Sequence, residues 1–162
     1  MFKEIFKEIV LVELKNQENK NTKRNLFVND LTNKLDNMIK EFNPYFKKYG
    51  LMLNYTKYED KEKYLNSFNG DEPYNYTENI FNELNDDFIC LELFTIKQRF
   101  NKNIFDEILT IFIGNEKYIY YIEYGELPMN IYNIDKPLNI LDDKSFWSKI
   151  IKENVDLNNN YA

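Results

Sequence analysis

Four carboxylates fall close together in the middle of this 162-residue chain: Asp87, Glu92, Asp106 and Glu107. Carboxylates that converge on a divalent ion, with a lysine such as Lys97 nearby, are the apparatus of metal-dependent phosphodiester cleavage. Glu92 and Glu107 sit in otherwise apolar stretches, FICLELFTI (88–96) and IFDEILTIFI (104–113). An unpaired carboxylate is costly to bury there, so each is expected to face solvent or to serve a site. Residue type excludes most other chemistry. With no His and a single Cys, the common Ser and Cys nucleophile mechanisms lack their base. Gly50, Gly70, Gly114 and Gly125 never cluster, so no phosphate-cradling loop is available. Asn69-Gly70-Asp71-Glu72 resembles a fragment of a calcium loop but lacks the alternating oxygen ligands before the glycine. Neither a metal nor a cofactor is expected. Cys90, between Ile89 and Leu91, is expected to be a plain buried thiol.

A different kind of chemistry is suggested by GNEKYIYYIEYGELP, residues 114–128. On a strand Tyr118, Tyr120, Ile122 and Tyr124 share one face, and Ile119 and Tyr121 the other. Tyrosines can stack nucleic-acid bases, but such platforms surround their aromatics with Lys and Arg. Here Glu116, Glu123 and Glu126 outnumber Lys117, so phosphate would be repelled and no nucleic-acid partner is expected. The remaining alternatives are core packing with hydroxyls at the rim, or a protein interface, for which Tyr offers large area and a polar tip.

Charge is unevenly spread. The chain carries 21 Lys+Arg against 27 Asp+Glu, a net of −6, with net charges of +4 over residues 1–58, −7 over 59–87 and −3 over 88–162. The acidic segment 59–87 also has the least periodic sequence, as an exposed region where function often sits. Such a patch can steer a basic partner.

The elements that must position these groups follow from hydrophobic spacing. Phe2, Ile5, Phe6, Ile9 and Val10 mark one amphipathic helix, and Val28, Leu31, Leu35, Met38 and Phe42 a second. The polar run from Asn16 to Asn25 is expected to be the loop between them. Pro44 should kink or restart the second helix, and Gly50 should stop it. LMLNYTKY (51–58) alternates as a strand does. Asp60 to Phe68 and Thr77 to Leu84 suit short helices. The strands 88–96 and 104–113 follow, turning at Arg99 to Asn103. Gly114-Asn115 suits a tight turn with Gly at positive φ, leading into the tyrosine strand, and MNIYNI (129–134) adds an edge strand. Asp142 or Asp143 can cap a last helix with Phe146, Trp147, Ile150 and Ile151 facing inward. Residues 158–162 are expected to fray. The fold is therefore expected to be α+β: one domain over residues 1–162, an antiparallel meander of three to five strands packed against N-terminal helices and a C-terminal helix, and helices on one face would satisfy that order.

The apolar residues of the N-terminus are interrupted by Lys3, Glu4, Lys7 and Glu8, unlike a signal peptide. No run of 18 uncharged apolar residues offers a membrane span. A cytoplasmic protein is expected, and the wealth of Asn, Lys, Ile, Tyr and Phe suggests an AT-rich genome. Small size, acidity and missing motifs together resemble small inhibitor proteins, in particular immunity proteins that neutralise bacterial toxin domains. That resemblance implies a non-catalytic inhibitor whose partner is a basic, nuclease-type toxin domain. A nuclease must hold phosphate, so acidic side chains suit whatever covers its site. Asp71, Glu72, Asp86 and Asp87 would then steer and pair with Lys or Arg, with Tyr74, Tyr76 and Tyr120 as apolar anchors. The alternatives are a metal-dependent phosphodiesterase using Asp87, Glu92, Asp106 or Glu107, a phage or mobile-element inhibitor of a host defence enzyme, and a structural subunit that self-associates along Val28 to Tyr49.

Overall fold

In the computed structural model, which describes residues 1–70, 77–122 and 130–155, the hydrophobic stripe that begins at Val28 forms the back of a five-stranded sheet. That stripe belongs to one helix, α1, which runs unbroken from Phe2 to Phe46. At 1.5 Å per residue its 45 residues extend about 68 Å. The loop expected over Asn16 to Asn25 does not form. The run holds no Gly or Pro, and its Lys, Arg, Gln and Glu residues are good helix formers. Pro44, expected to kink or restart the helix, instead lies inside its last turn, at the cost of the one bond its missing N–H would have made to the carbonyl four residues back. A 3-10 turn, Lys47–Tyr49, then leads to Gly50, left-handed at φ 71°, and the helix ends there as expected.

The strands are β1 (Leu51–Tyr58), β2 (Ile89–Arg99), β3 (Lys102–Ile113), β4 (Lys117–Ile122) and β5 (Ile131–Asn133), in the sheet order β1-β2-β3-β4-β5. Every neighbouring pair is antiparallel, so the sheet is a plain meander and the fold is α+β. Between β1 and β2 lie two short helices, α2 (Lys61–Asn66) and α3 (Thr77–Glu83), and α4 (Lys144–Asn154) closes the described chain. Asp60 caps α2 by accepting from the Lys63 N–H, and Asp143 caps α4 by accepting from Ser145.

Helices cover both faces of the sheet, a point that the order of elements alone leaves open. On one side Val28, Leu31 and Leu35 of α1 and Phe146, Trp147 and Ile150 of α4 bury Leu51, Leu53, Leu91, Leu93, Leu109 and Ile111. On the other, Tyr64 of α2 and Ile80 and Phe81 of α3 close over Phe88, Cys90, Phe112 and Ile119. This second cluster accounts for the apolar residues on both faces of β2 and β3. The Val28 seam is therefore spent inside the molecule and is not free for self-association. Ile151, expected inside, is 40 % exposed, because α4 offers only one face to the core.

Two turns have different causes from those expected. Arg99 pairs with Lys102 across a two-residue turn whose central Phe100 and Asn101 have φ of 51° and 61°, a combination that glycine and asparagine normally supply. Gly114, by contrast, is absent from the positive-φ glycines, Gly50 and Gly70. It is glycine for room: an added Cβ would lie 3.0 Å from Leu84 Cδ2 and 3.1 Å from the Lys117 carbonyl oxygen.

The open edge of β1 is guarded. The Asn43 side-chain amide donates to the Leu53 carbonyl at 3.1 Å and accepts from the Leu53 N–H at 2.8 Å. Tyr55 N–H bonds the Asn54 side chain. Backbone groups that could recruit a foreign strand are thereby occupied.

Candidate functional site

The four strand carboxylates do not converge. Glu92 lies opposite Thr110, and Phe94 opposite Glu107, so the two glutamates are diagonal neighbours on the α2/α3 side of the sheet. Asp106 pairs with Thr95 and points to the other side, as adjacent strand residues must. Asp87 precedes β2 by two residues, about 16 Å along the chain from Glu92 at 3.3 Å per residue. Among the described residues no three His, Cys, Asp or Glu side chains come together as a metal site would require. Glu92 and Glu107 act on their surroundings instead. Burial foremost, then their charges, push the Cys90 thiol well above its usual range. Cys90 is wholly buried and free.

Of the expected partner-facing acids, Asp71 and Glu72 lie outside the described residues, as do Tyr74 and Tyr76. Asp86 and Asp87 follow α3 in a turn where Asn85 and Asp86 are both left-handed, at φ 54° and 58°. Both carboxylates already have partners. Lys61 Nζ donates to Asp86 at 2.8 Å, and Arg24 donates to Asp87 at 2.9 Å, joined by the Asn115 amide. Along the same rim Lys20 pairs with Glu116 at 2.6 Å, Lys23 with Asp135 at 3.6 Å and Lys117 with Glu83 at 3.1 Å. The basic excess of the N-terminal third and the acidity of the middle segment thus meet inside one molecule. Asp86 and Asp87 keep side-chain exposures of 60 % and 61 %, so they can still contribute to a long-range field.

The tyrosine strand divides as its alternation requires. Ile119 and Tyr121 face α2 and α3, while Tyr118, Tyr120 and Ile122 face the α1 side. Tyr118 is core: 1 % exposed, its ring 4.7 Å from Phe27, its hydroxyl donating to the Lys136 carbonyl at 2.9 Å. Tyr120 lies further out and is half-buried. Tyr132 of β5 stacks on both rings, at 5.4 Å from Tyr118 and, nearly parallel at 9°, 5.5 Å from Tyr120. Lys136 Nζ lies 4.6 Å above the opposite partner of that stack, the Tyr132 ring.

These rings form one wall of an open cleft of about 510 Å³, whose other wall is Lys136 to Ile140 with Asp142 and Asp143. Asp142 pairs with Lys34 of α1, and Asp143 bears on the Tyr120 hydroxyl. Burial first, then the hydrogen bond to Tyr132, raises Tyr120 to about 12. Burial raises Tyr118 to about 12 as well. Both phenols are therefore neutral donors at any physiological pH. A scan of protein-family models and searches of curated proteins and solved structures give no match. Function is accordingly read from the chain's own geometry.

Among the described residues, Tyr120 is the expected anchor that lies in a concave site. Sequence reasoning missed its companions, Tyr132, Asp142 and Asp143. The signal for Tyr132 was present: MNIYNI was an expected edge strand, and antiparallel register against β4 brings its tyrosine opposite Tyr118. The acids were recognised only as helix caps, the role that Asp143 also fills.

Proposed function

We propose that this protein is a non-catalytic inhibitor that works by binding a basic protein domain, in the manner of an immunity protein against a nuclease-type toxin. The observation that carries the reading is the cleft in which the stacked Tyr120 and Tyr132 adjoin Asp142 and Asp143. An aromatic face beside carboxylates is suited to an Arg or Lys side chain, which gains cation–π attraction and a charged hydrogen bond together. Stacked tyrosines held by packing also lose little entropy on binding, the property that makes Tyr frequent among interface anchors. The net charge of −6 supplies long-range attraction for a cationic partner. In this scheme the contact itself is made at the tyrosine cleft, and Asp86 and Asp87, which lie outside it, act at a distance.

A metal-dependent phosphodiesterase is the weaker reading, since Asp106 and Glu107 project from opposite faces of the sheet. A tagged chain used as bait in its native lysate, washed at low and then at high salt, tests the proposal. A stoichiometric basic protein that survives moderate salt and leaves at high salt is the expected result. Capture of nothing in stoichiometric amount, with Mg²⁺ or Mn²⁺ binding in a calorimeter, would overturn it.

A further inference from the structure

Every residue of α1 before Arg24 is exposed. Met1, Phe2, Ile5, Phe6, Ile9, Val10, Leu11, Val12 and Leu14 are between 39 % and 94 % exposed. The anchoring ion pairs of the helix begin only at Lys20, and its buried residues only at Val28. Residues 1–14 are therefore an arm that reaches past the β3–β4 turn into open space. The arm does not point its apolar residues at random. Val28, Leu31 and Leu35 lie on the side of α1 that meets the sheet. Stepping back along that side by threes and fours gives Arg24, Lys20, Gln17, Glu13, Val10, Phe6 and Phe2. Four polar residues, Arg24, Lys20, Gln17 and Glu13, separate the packed stripe from the arm, where Phe2, Ile5, Phe6, Ile9 and Val10 share one apolar face.

Such an arm is not self-sufficient. A helix of this length is marginal in water unless a face is packed. Its apolar surface is also too large to be incidental. Phe2 and Phe6 alone offer roughly 150–250 Å² each, and Ile5, Ile9 and Val10 extend the same face. The largest apolar patch of an ordinary monomer is about 300–600 Å².

We propose that the arm pairs with the arm of a second copy of this chain, antiparallel, to form a homodimer; this is independent of the tyrosine cleft. Charge selects the occupant. Through residue 15 the arm carries Lys3, Lys7 and Lys15 against Glu4, Glu8 and Glu13, a net of zero in a chain of −6. An interfacial membrane helix is enriched in Lys and Arg on its polar face, and this one is not. A basic partner would find no excess of acid on it either. A second arm matches it, because each copy presents both signs in equal number. Charge also selects the direction. A parallel pair would bring two bodies of like charge side by side. An antiparallel pair over residues 1–13 places about 18 Å of shared helix between them, well beyond the roughly 8 Å screening length at physiological salt.

Sedimentation velocity of the full chain from about 1 to 100 µM, beside an Ile5→Glu/Ile9→Glu double variant, tests this. Wild type is expected to be dimeric and the variant monomeric across that range, with the same melting of the Trp147 core in both, because neither residue touches the body. A wild type that stays monomeric overturns the proposal, and so does a variant that stays dimeric. Flotation of a monomeric wild type with phosphatidylserine vesicles would overturn it in favour of a lipid surface. Orientation is read from nitroxides at Gln17→Cys, Cys90 being buried. Antiparallel arms crossing near Lys7 hold those labels about 30 Å apart. Separations within about 15 Å, near one helix diameter, would contradict the antiparallel arrangement.

Discussion

Phe100 holds a backbone conformation that bulky side chains adopt only at a cost, φ 51°, while 94 % of its surface meets water. Neither burial nor a hydrogen bond offsets that cost. Phe100→Gly is therefore expected to stabilise the chain by about 1 kcal/mol, read as a higher urea midpoint at unchanged slope. At the same scale the tyrosines report their surroundings. Tyr55, Tyr118 and Tyr120 are each raised to about 12, burial being the first cause in every case. A phenol whose folded value lies above its unfolded value of about 10 binds its proton more tightly when folded. The stabilisation is complete below pH 10 and is lost as pH climbs from 10 through 12. Phenolate absorbance is expected to rise in two stages, the delayed stage coinciding with unfolding. A single stage near pH 10 in the folded protein would contradict this account of the cleft. The solitary Cys shows how far residue type alone carries: its neighbours Ile89 and Leu91 made Cys90 a core thiol in the sequence, and it is one.

At the scale of elements, Asn43 links the end of α1 to the edge of the sheet. Asn43→Ala removes both bonds to the Leu53 backbone, and a loss of roughly 1–3 kcal/mol is expected, measured by urea unfolding. A loss well below that range would mean that water replaces the amide there. The strands were legible because their signals are local: alternation in LMLNYTKY, apolar runs at 88–96 and 104–113, and turn residues between them. The long helix was not. Asn16 to Asn25 lacks an apolar period, since its helical face meets the body through ion pairs rather than through hydrophobic contact. Lys20, Lys23 and Arg24 answer to Glu116, Asp135 and Asp87, residues at least 63 positions away. No local pattern announces such pairs. The same long-range pairing explains why the charge asymmetry of the sequence looked like a bare acidic patch. Gly114 was read as a turn former for the same reason, because the Leu84 methyl that forbids a side chain there is distant in sequence.

At the scale of the whole molecule, the sheet is closed on both faces, its β1 edge is guarded, and among the described residues the arm and the tyrosine cleft are turned outward. Both supply surface. The cleft gives the central claim its sharpest test, because Tyr120 can be shortened without touching the buried ring of Tyr118. The deciding measurement is the affinity of the captured basic partner for wild type and for Tyr120→Ala, each titrated over a series of salt concentrations. The account predicts at least about 30-fold weaker binding for the variant, the loss of an interface anchor of about 2 kcal/mol, with steep salt dependence retained in both. Equal affinities for the two proteins would contradict it and place the contact elsewhere on the molecule.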